Sequence, residues 1–179
     1  MYSENEAIAL SSDYIKSIHR RFYEFLPSEF KEVIDKEGNV RYVIPGEFRT
    51  GEVEVGRHIA PYSDSLNSFM SRFENFYNPE SNNNKSKVKR IVQIAAAHHR
   101  LVWIHPFLDG NGRVVRLLSD ACFMHEGIDS DGLWSVSRGL ARWNEEYKAR
   151  LANADMRRLS DYDGRGNLSN KMLIEFCEF

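Results

Sequence analysis

The stretch that decides the fold is HPFLDGNGRVVR, from His105 to Arg116. Gly110 and Gly112 have no Cβ, so backbone N–H groups at this turn can approach an anion closely. From Val114 onwards, apolar residues recur at three- and four-residue spacing, which predicts a helix that begins at the turn. Free N–H groups and the helix dipole favour a phosphate at such a position. The stretch therefore predicts an anion site at a helix N-terminus.

Four side chains in this stretch have the chemistry to act on a bound nucleotide. Arg113 and Arg116 are three residues apart, so both can project from one side of the first helical turn. Asp109 offers the hard oxygen ligand that a phosphate-bound Mg²⁺ requires. His105 is a candidate general base, because a neutral imidazole can accept a proton near physiological pH. Together these groups could hold a nucleoside triphosphate and deprotonate a hydroxyl beside it.

The stretch resembles the signature of the Fic family, His-Pro-Phe-x-Asp/Glu-Gly-Asn-Gly-Arg-x-x-Arg, and matches it at every fixed position. The resemblance extends from about residue 12 to the C-terminus, through Pro45–Arg49, Leu133–Ser135 and Asp163–Leu168. It implies an all-α, mostly helical Fic fold with a small β-hairpin flap. It also implies a single domain over residues 1–179, with its core at 12–179. The alternative interpretation is a helix start with a glycine turn and two solvated arginines.

The resemblance implies a protein adenylyltransferase, which moves AMP from ATP to a Ser, Thr or Tyr hydroxyl of a target protein. His105 would take the proton from that hydroxyl, and Asp109 would hold Mg²⁺ against the phosphates. The residues implied to bind the nucleotide are Phe107, Gly110, Asn111, Gly112, Arg113, Arg116 and Tyr147. Within this set, Phe107 would anchor the loop and Tyr147 would contact adenine.

Other activities remain open. Some relatives phosphorylate their targets, some transfer UMP and some move phosphocholine. The phosphorylating relatives usually carry lysine in place of the second glycine of the turn, so the intact Gly112 favours AMP transfer. A nucleotide-binding regulatory module with little turnover is an alternative from a different class. It ranks second, because His105 and Asp109 are both present.

Many Fic proteins carry an inhibitory helix with the pattern Ser/Thr-x-x-x-Glu-Gly/Asn, whose glutamate pairs with the second motif arginine. This chain has no match, because the segments that begin at Ser28 and Thr50 have the spacing but continue with valine. We therefore expect that this chain is not self-inhibited. Any inhibitory helix would lie on another chain or on a missing segment. The alternative is an unrecognised glutamate, such as Glu54, that pairs with Arg116.

Composition excludes several other classes of protein. The chain has 179 residues, 42% of them apolar and 28% charged, which suits one soluble globular domain. Its net charge of −2 argues against an extended nucleic-acid surface. No apolar run approaches the roughly 20 residues of a membrane span, and the N-terminus does not resemble a signal peptide. We expect Cys122 and Cys177 to be buried thiols in the cytoplasm.

Hydrophobic periodicity predicts helices over 12–25, 63–77 and 86–103, a motif helix that ends near Gly127, and one or two helices within 133–153. A last helix should start with Ser169 or Asn170 as its cap. Residues 36–40 form a predicted turn between short extended pieces, 48–61 a hairpin and 79–85 a polar loop. His98 and His99 point in different directions on their helix, so we expect packing or surface roles for them.

These patterns also assign apolar faces to three of the helices. For the helix at 86–103, the side chains predicted to face inwards are Val88, Ile91, Val92, Ala95, Ala96 and Val102. For the helices at 12–25 and 63–77, the side chains predicted to form one apolar face are Tyr14, Ile15, Ile18, Phe22 and Phe25, and Leu66, Phe69, Met70, Phe73 and Phe76.

Overall fold

The computed structural model describes residues 10–35, 37–56, 58–77, 86–128 and 134–179. Over these ranges the helices are α1 (Ser12–Glu24), α2 (Leu66–Tyr77), α3 (Lys87–Ile104), α4 (Asn111–His125), α5 (Val136–Arg142), α6 (Asn144–Ala154) and α7 (Asn170–Glu178). The strands are β1 (Glu32–Ile34), β2 (Val40–Tyr42), β3 (Glu54–Val55) and β4 (His58–Ile59). Two 3₁₀ turns, Ser28–Lys31 and Ser63–Ser65, precede β1 and α2. The mostly helical fold with a small hairpin flap is confirmed.

The strands form two separate antiparallel hairpins. In the first hairpin, β1 pairs with β2, with Val33 opposite Arg41. In the second, β3 pairs with β4, with Val55 opposite His58. We call residues 50–61, which contain β3 and β4, the flap. The first hairpin was predicted as a turn between short extended pieces and the second as a hairpin, although Lys36 in the first turn lies outside the described residues.

Serine caps fix the starts of four helices. Each cap side chain accepts a hydrogen bond from the backbone N–H three residues later, which satisfies one of the unpaired donors of the first turn. The caps are Ser11 for α1, Ser86 for α3, Ser135 for α5 and Ser169 for α7. The predicted cap of the last helix is therefore confirmed at Ser169. The predicted loop at 79–85 lies outside the described residues.

Helix α3 is the central element of the core. It packs against α2, α4 and α7, while α1 packs against α4. The main cluster of buried side chains includes Ile15, Met70, Leu101, Phe107, Val114 and Val115. A smaller cluster of Tyr147, Ala154 and Phe176 joins α6 to α7. Phe176 also contacts the rings of His98 and His99, which connects this cluster to α3.

The predicted inward face of α3 is wrong at its first two turns, where Val88 and Val92 are 69% and 46% exposed. The buried side chains of α3 are instead Ile94, Ala97, His98, His99, Leu101 and Ile104. Phe25 and Phe76, which were assigned to the apolar faces of α1 and α2, are 85% and 70% exposed. The physical reason is that periodicity locates the apolar residues of a helix. Only the packing of the other helices decides which of those residues are covered.

His98 and His99 are both buried and have different polar partners. The His98 ring lies 2.8 Å from the Ser119 hydroxyl and 2.9 Å from the Tyr147 hydroxyl. Nε2 of His99 lies 3.0 Å from the Asp155 carboxylate. Their role in packing agrees with the prediction. Within the described ranges, none of the helices combines the length and the apolar character that crossing a lipid bilayer requires.

Candidate functional site

A cavity of about 680 Å³ lies between the α3–α4 connection and the two hairpins. The residues of its first side, which we call the motif wall, are His105, Leu108, Asp109, Gly110, Asn111, Gly112, Arg113 and Arg116. The residues of the opposite side, the hairpin wall, are Val33, Ile34, Asp35, Glu37, Arg41, Glu52, Val53, Glu54 and Val55. The structure therefore brings seven of the nine predicted site residues together on one wall of one cavity.

The loop of the motif wall is held from within by Asn111. Its side-chain Oδ1 accepts the N–H of Phe107 at 2.9 Å, and its Nδ2 donates to the Phe107 carbonyl at 2.8 Å. The Phe107 ring is fully buried and stacks on His19, with ring centroids 3.9 Å apart. The Asn111 amide thus closes the loop, and the contact of Asn111 and the Gly110–Gly112 backbone with phosphate stays a prediction.

The two glycines of the motif differ in what they allow. Gly110 has a φ of 81° and caps α4, and a Cβ at this position would lie 2.7 Å from the Tyr23 ring. Any side chain is therefore strained there. At Gly112, a Cβ would meet only Arg116, at 3.9 Å. Gly112 thus leaves open space beside the first turn of α4, whose N–H groups precede the intrahelical bonds and can receive an anion.

Asp109 is a charged carboxylate held by two donors. Its Oδ2 accepts the Tyr23 hydroxyl at 2.5 Å and Nη2 of Arg113 at 2.7 Å. Burial acts to raise the pKa of Asp109, but the hydrogen bonds from Tyr23 and Gly110 and the charge of Arg113 outweigh it and lower the pKa. The carboxylate is therefore ionised at neutral pH, as a metal ligand must be.

The donor set fits a phosphate-bound Mg²⁺. Asp109 provides a hard, charged oxygen beside the helix start, which is the ligand type that Mg²⁺ selects. In the described part of the chain, no group of three or more His, Cys, Asp or Glu side chains is arranged to hold a metal ion. An Mg²⁺ at Asp109 would therefore complete its shell with phosphate and water oxygens.

His105 has the geometry of a general base. It ends α3 in a left-handed conformation with a φ of 52°. Its Nδ1 lies 3.2 Å from the Val102 carbonyl. Because a carbonyl can only accept, Nδ1 carries the proton and Nε2 is free to accept one. Burial lowers the pKa of His105 to about 4, and the charges of His58 and Arg49 act in the same direction. The imidazole is therefore neutral at physiological pH.

The two motif arginines are placed differently. Arg113 pairs with Asp109, and its guanidinium lies 4.9 Å from the centre of the Phe22 ring. Arg116 lies one turn further along α4 and also lines the cavity. Among the described residues, no carboxylate forms an ion pair with Arg116. Arg116 is thus available for a phosphate, since guanidinium groups bind phosphates through paired donors.

The sequence model of the Fic/DOC family matches residues 9–122, a range that contains the whole motif wall and both hairpins. This chain belongs to the Fic/DOC family. The relationship predicted from residues 105–116 is therefore confirmed.

Curated Fic relatives match part of the chain. Protein adenylyltransferase Fic from Drosophila grimshawi is 37% identical over 117 residues, which cover 63% of this chain and 24% of that protein. The protein of the same name from Drosophila mojavensis is 44% identical over 90 residues, which cover 50% of this chain and 17% of that protein. The chain thus spans about a quarter or less of the length of these relatives.

Solved Fic structures share the fold. A Fic-domain signalling protein from Bacteroides thetaiotaomicron has a TM-score of 0.62 at 20% identity, and the match covers 94% of this chain and 56% of that one. BepC from Bartonella tribocorum, solved with bound AMPPNP, has a TM-score of 0.54 at 15% identity and covers 95% of this chain and 74% of that one. The Fic fold therefore extends well beyond the residues of the family match.

Two predicted site residues do not line the cavity. Phe107 lies in the core beneath the loop of the motif wall. It anchors this loop as expected but does not face the cavity. Tyr147 lies in the second cluster, and its hydroxyl contacts His98 at 2.9 Å. Burial raises the pKa of Tyr147 to about 12. Its packing role agrees with the structure, and its contact with adenine stays a prediction.

Sequence reasoning missed two residues that support the Fic motif from α1. Tyr23 is fully buried and donates to Asp109, and burial raises its pKa, so the phenol keeps its proton. His19 accepts the Gly46 N–H at 2.8 Å through Nδ1, while Nε2 lies 3.3 Å from the Asp109 carbonyl. Burial lowers the pKa of His19 to about 4, which keeps it neutral. Their four-residue spacing, which places both on one helix face, was the available signal.

Proposed function

We propose that this chain is the catalytic domain of a protein adenylyltransferase, which transfers AMP from ATP to a Ser, Thr or Tyr hydroxyl of a target protein. The observation that carries the proposal is the free Nε2 of His105 on the same cavity wall as the start of α4 and Arg116. The name of the Drosophila relatives supports it, and so does the AMPPNP bound by BepC.

In the proposed reaction the target hydroxyl oxygen attacks the α-phosphorus of ATP. His105 Nε2 takes the proton of that hydroxyl as the new P–O bond forms. The bond between the α-phosphorus and the bridging oxygen breaks, and pyrophosphate leaves with the electron pair. The N–H groups at the start of α4 and the Arg116 guanidinium stabilise the charge that develops on the phosphates. No covalent intermediate with the enzyme is required.

We assign Asp109 as the protein ligand of the Mg²⁺ that accompanies ATP. When bound, the ion would neutralise phosphate charge and help to orient the triphosphate. Tyr23 and Arg113 hold the carboxylate on the cavity side of the loop before any ligand arrives. Such hydrogen bonds to a metal-binding carboxylate limit the reorganisation that binding requires.

We assign the target side of the reaction to the flap. Its strands have two residues each, and Ile59 is 73% exposed. An edge strand of this kind can pair with an extended target segment through backbone hydrogen bonds. The volume of the cavity, about 680 Å³, lies within the usual range for small-molecule sites. The cavity can therefore take the nucleotide while the flap positions the target hydroxyl at its mouth.

We also propose that residues 123–179 complete the same domain, because α7 packs against α3 and Phe176 contacts its histidines. The proposed compartment is the cytoplasm. Cys122 and Cys177 are both free, which fits a reducing environment, and Cys177 is only partly buried, which differs from the prediction for it.

Parallel reactions with ATP labelled at the α-phosphate or at the γ-phosphate test the proposal. AMP transfer predicts α-label on protein and no γ-label, with incorporation lowered about 10²–10⁴-fold by His105→Ala. Incorporation of γ-label alone would show a kinase and contradict the proposal. UTP labelled at the α-phosphate, run beside them, distinguishes UMP transfer. Binding of ATP with no incorporation of any label would favour the regulatory module.

A further inference from the structure

Arg49 is a buried cation at the base of the flap. Its side chain is 0% exposed. The Glu52 carboxylate lies 3.8 Å from Nη1 of Arg49, and the Glu52 side chain is itself 55% exposed. A guanidinium taken out of water needs its donors satisfied, since an unpaired buried charge strongly destabilises a fold. The partners of the Arg49 guanidinium therefore show which parts of the chain its burial holds together.

Each part of the guanidinium donates to a different backbone carbonyl. Nε donates to the His105 carbonyl at 2.8 Å, and Nη1 donates to the Gly51 carbonyl at 2.9 Å. Nη2 donates to the Pro61 carbonyl. Gly51 and Pro61 lie at the two ends of the flap. The planar guanidinium of Arg49 thus joins both ends of the flap to the backbone of His105, the candidate base.

The backbone of Arg49 adds a fourth contact to the same place. Its N–H donates to the Pro106 carbonyl at 2.9 Å. Arg49 therefore holds two successive carbonyls, that of His105 through its side chain and that of Pro106 through its backbone N–H. Of the described residues other than glycine, His105 alone has a positive φ, 52°. Such a conformation persists only where surrounding contacts hold it.

Other side chains also hold the flap in position, among them Glu52, whose carboxylate accepts from the N–H and the hydroxyl of Ser63. Each of its strands has two residues, and isolated pairs of this length are marginal in water. On the second strand of the flap, Nε2 of His58 donates to the Trp103 carbonyl at 2.7 Å. The contacts of Arg49 and of His58 therefore both lead to the end of α3, at Trp103 and His105.

We propose that Arg49 is a positioning residue that fixes the flap and His105 relative to one another. The proposal rests on the function proposed above, because it assigns the target to the flap and the proton transfer to His105. Arg49 does not line the cavity, so it acts through the three carbonyls and not on the nucleotide. Lysine cannot replace it, because an ammonium is a single point donor without the planar fork.

The test compares Arg49→Lys with Arg90→Lys. Arg90 is a partly buried arginine on α3 that pairs with Glu126, roughly 20 Å along the helix from His105. We expect Arg49→Lys to lower kcat about 10–100-fold, as a small misplacement of a catalytic group does. The KM for the target should also rise, while the affinity for ATP in calorimetry stays within about twofold of the wild type. Hydrogen exchange of the backbone amides of residues 50–60 should become faster. Arg90→Lys should change none of these quantities.

Several results would overturn the proposal. One is an Arg49→Lys variant with wild-type kcat and target KM, and another is a loss of ATP affinity that matches the loss of transfer. If the wild type transfers no AMP, the proposed function fails. In that case, unchanged hydrogen exchange of the flap in Arg49→Lys separately rejects the positioning role. Should Arg49→Lys not fold, Arg49→Gln removes the buried charge and carries the same expectations. Failure of both variants to fold would show a purely structural residue.

Discussion

The two walls of the cavity are built in opposite ways. The motif wall rests on the core, where Phe107 is fully buried, Asn111 closes the loop and His19 stacks beneath it. The hairpin wall is built on strands of two and three residues, and its Ile34 and Val55 side chains are 70% and 45% exposed. Packing against the core therefore preorganises the candidate catalytic and phosphate-binding groups of the motif wall. The surface proposed to meet the target depends instead on a few side-chain anchors.

This difference matches the demands of the proposed reaction. A general base and a phosphate site lose rate steeply when they are misplaced, so rigid support favours them. A surface that meets a second protein gains from adaptability, and binding segments are often loops on a rigid scaffold. The predictions below test whether the walls separate chemistry from target selection in this way.

The largest expected effect is on the chemistry of the motif wall. His105→Ala should lower AMP transfer about 10²–10⁴-fold, because it removes a positioned base. ATP affinity should change little, since the phosphates are assigned to α4 and Arg116. A transfer assay and calorimetry on the same protein check this, with His125→Ala at the exposed end of α4 as the control. A parallel loss of ATP binding would make His105 a nucleotide ligand instead.

A large effect on stability should follow from the support beneath the motif. Phe107→Ala should lower the free energy of unfolding by about 3–5 kcal/mol, the usual cost of deleting a fully buried aromatic side chain. The matched control is Phe76→Ala, whose ring is 70% exposed and whose removal should cost less than about 0.5 kcal/mol. Chemical denaturation measures both. Equal effects would show that the motif wall is no more firmly built than the surface.

The metal assignment predicts a smaller and more selective effect. Asp109→Asn should weaken the dependence of transfer on Mg²⁺ and lower its rate by at least about tenfold, since even indirect partners of metals have effects of 10–100-fold. Titration of Mg²⁺ into the ATP complex, followed by calorimetry, measures the ion separately from turnover. Tyr23→Phe removes one donor to the same carboxylate and should weaken Mg²⁺ binding less. An unchanged titration for Asp109→Asn would leave the carboxylate as a partner of Arg113 alone.

The smallest predicted effect is a pH dependence of stability. Burial lowers the pKa of His19 and of His105 to about 4 and that of His98 to about 3, from an ordinary value of 6.5. Between pH 6.5 and about 4 the unfolded chain therefore binds more protons than the folded one, so stability falls as pH falls. Thermal unfolding should show a midpoint that is level above pH 7 and declines through this window. His98→Gln should make the decline shallower, and the exposed His125→Gln should not.

Local features of the fold were predictable from sequence. Ser86, Ser169 and Gly110 each fix the backbone through their own cap or conformation, without help from distant residues. The motif side chains were predictable for a related reason. Their spacing over twelve residues places them on one turn and one helix start, whatever the rest of the chain does.

Contacts between distant segments were not predictable. Tyr23 reaches Asp109 across 86 residues of sequence, and Arg49 reaches His105 across 56. Nothing in the local pattern marks Arg49 as buried, because a charged residue between two hairpins is usually exposed. The inward face of α3 was misjudged for the same reason, since its covered side depends on α4 and α7.

The central claim is that one wall performs the chemistry and the other selects the target. It is tested most directly by steady-state kinetics of two variants in one assay, His105→Ala on the motif wall and Val55→Pro on the flap. Proline removes one backbone N–H from a flap strand that lines the cavity. The account predicts that His105→Ala lowers kcat with target KM unchanged, and that Val55→Pro raises target KM with kcat retained. A Val55→Pro variant with kcat as low as that of His105→Ala and an unchanged KM would contradict it.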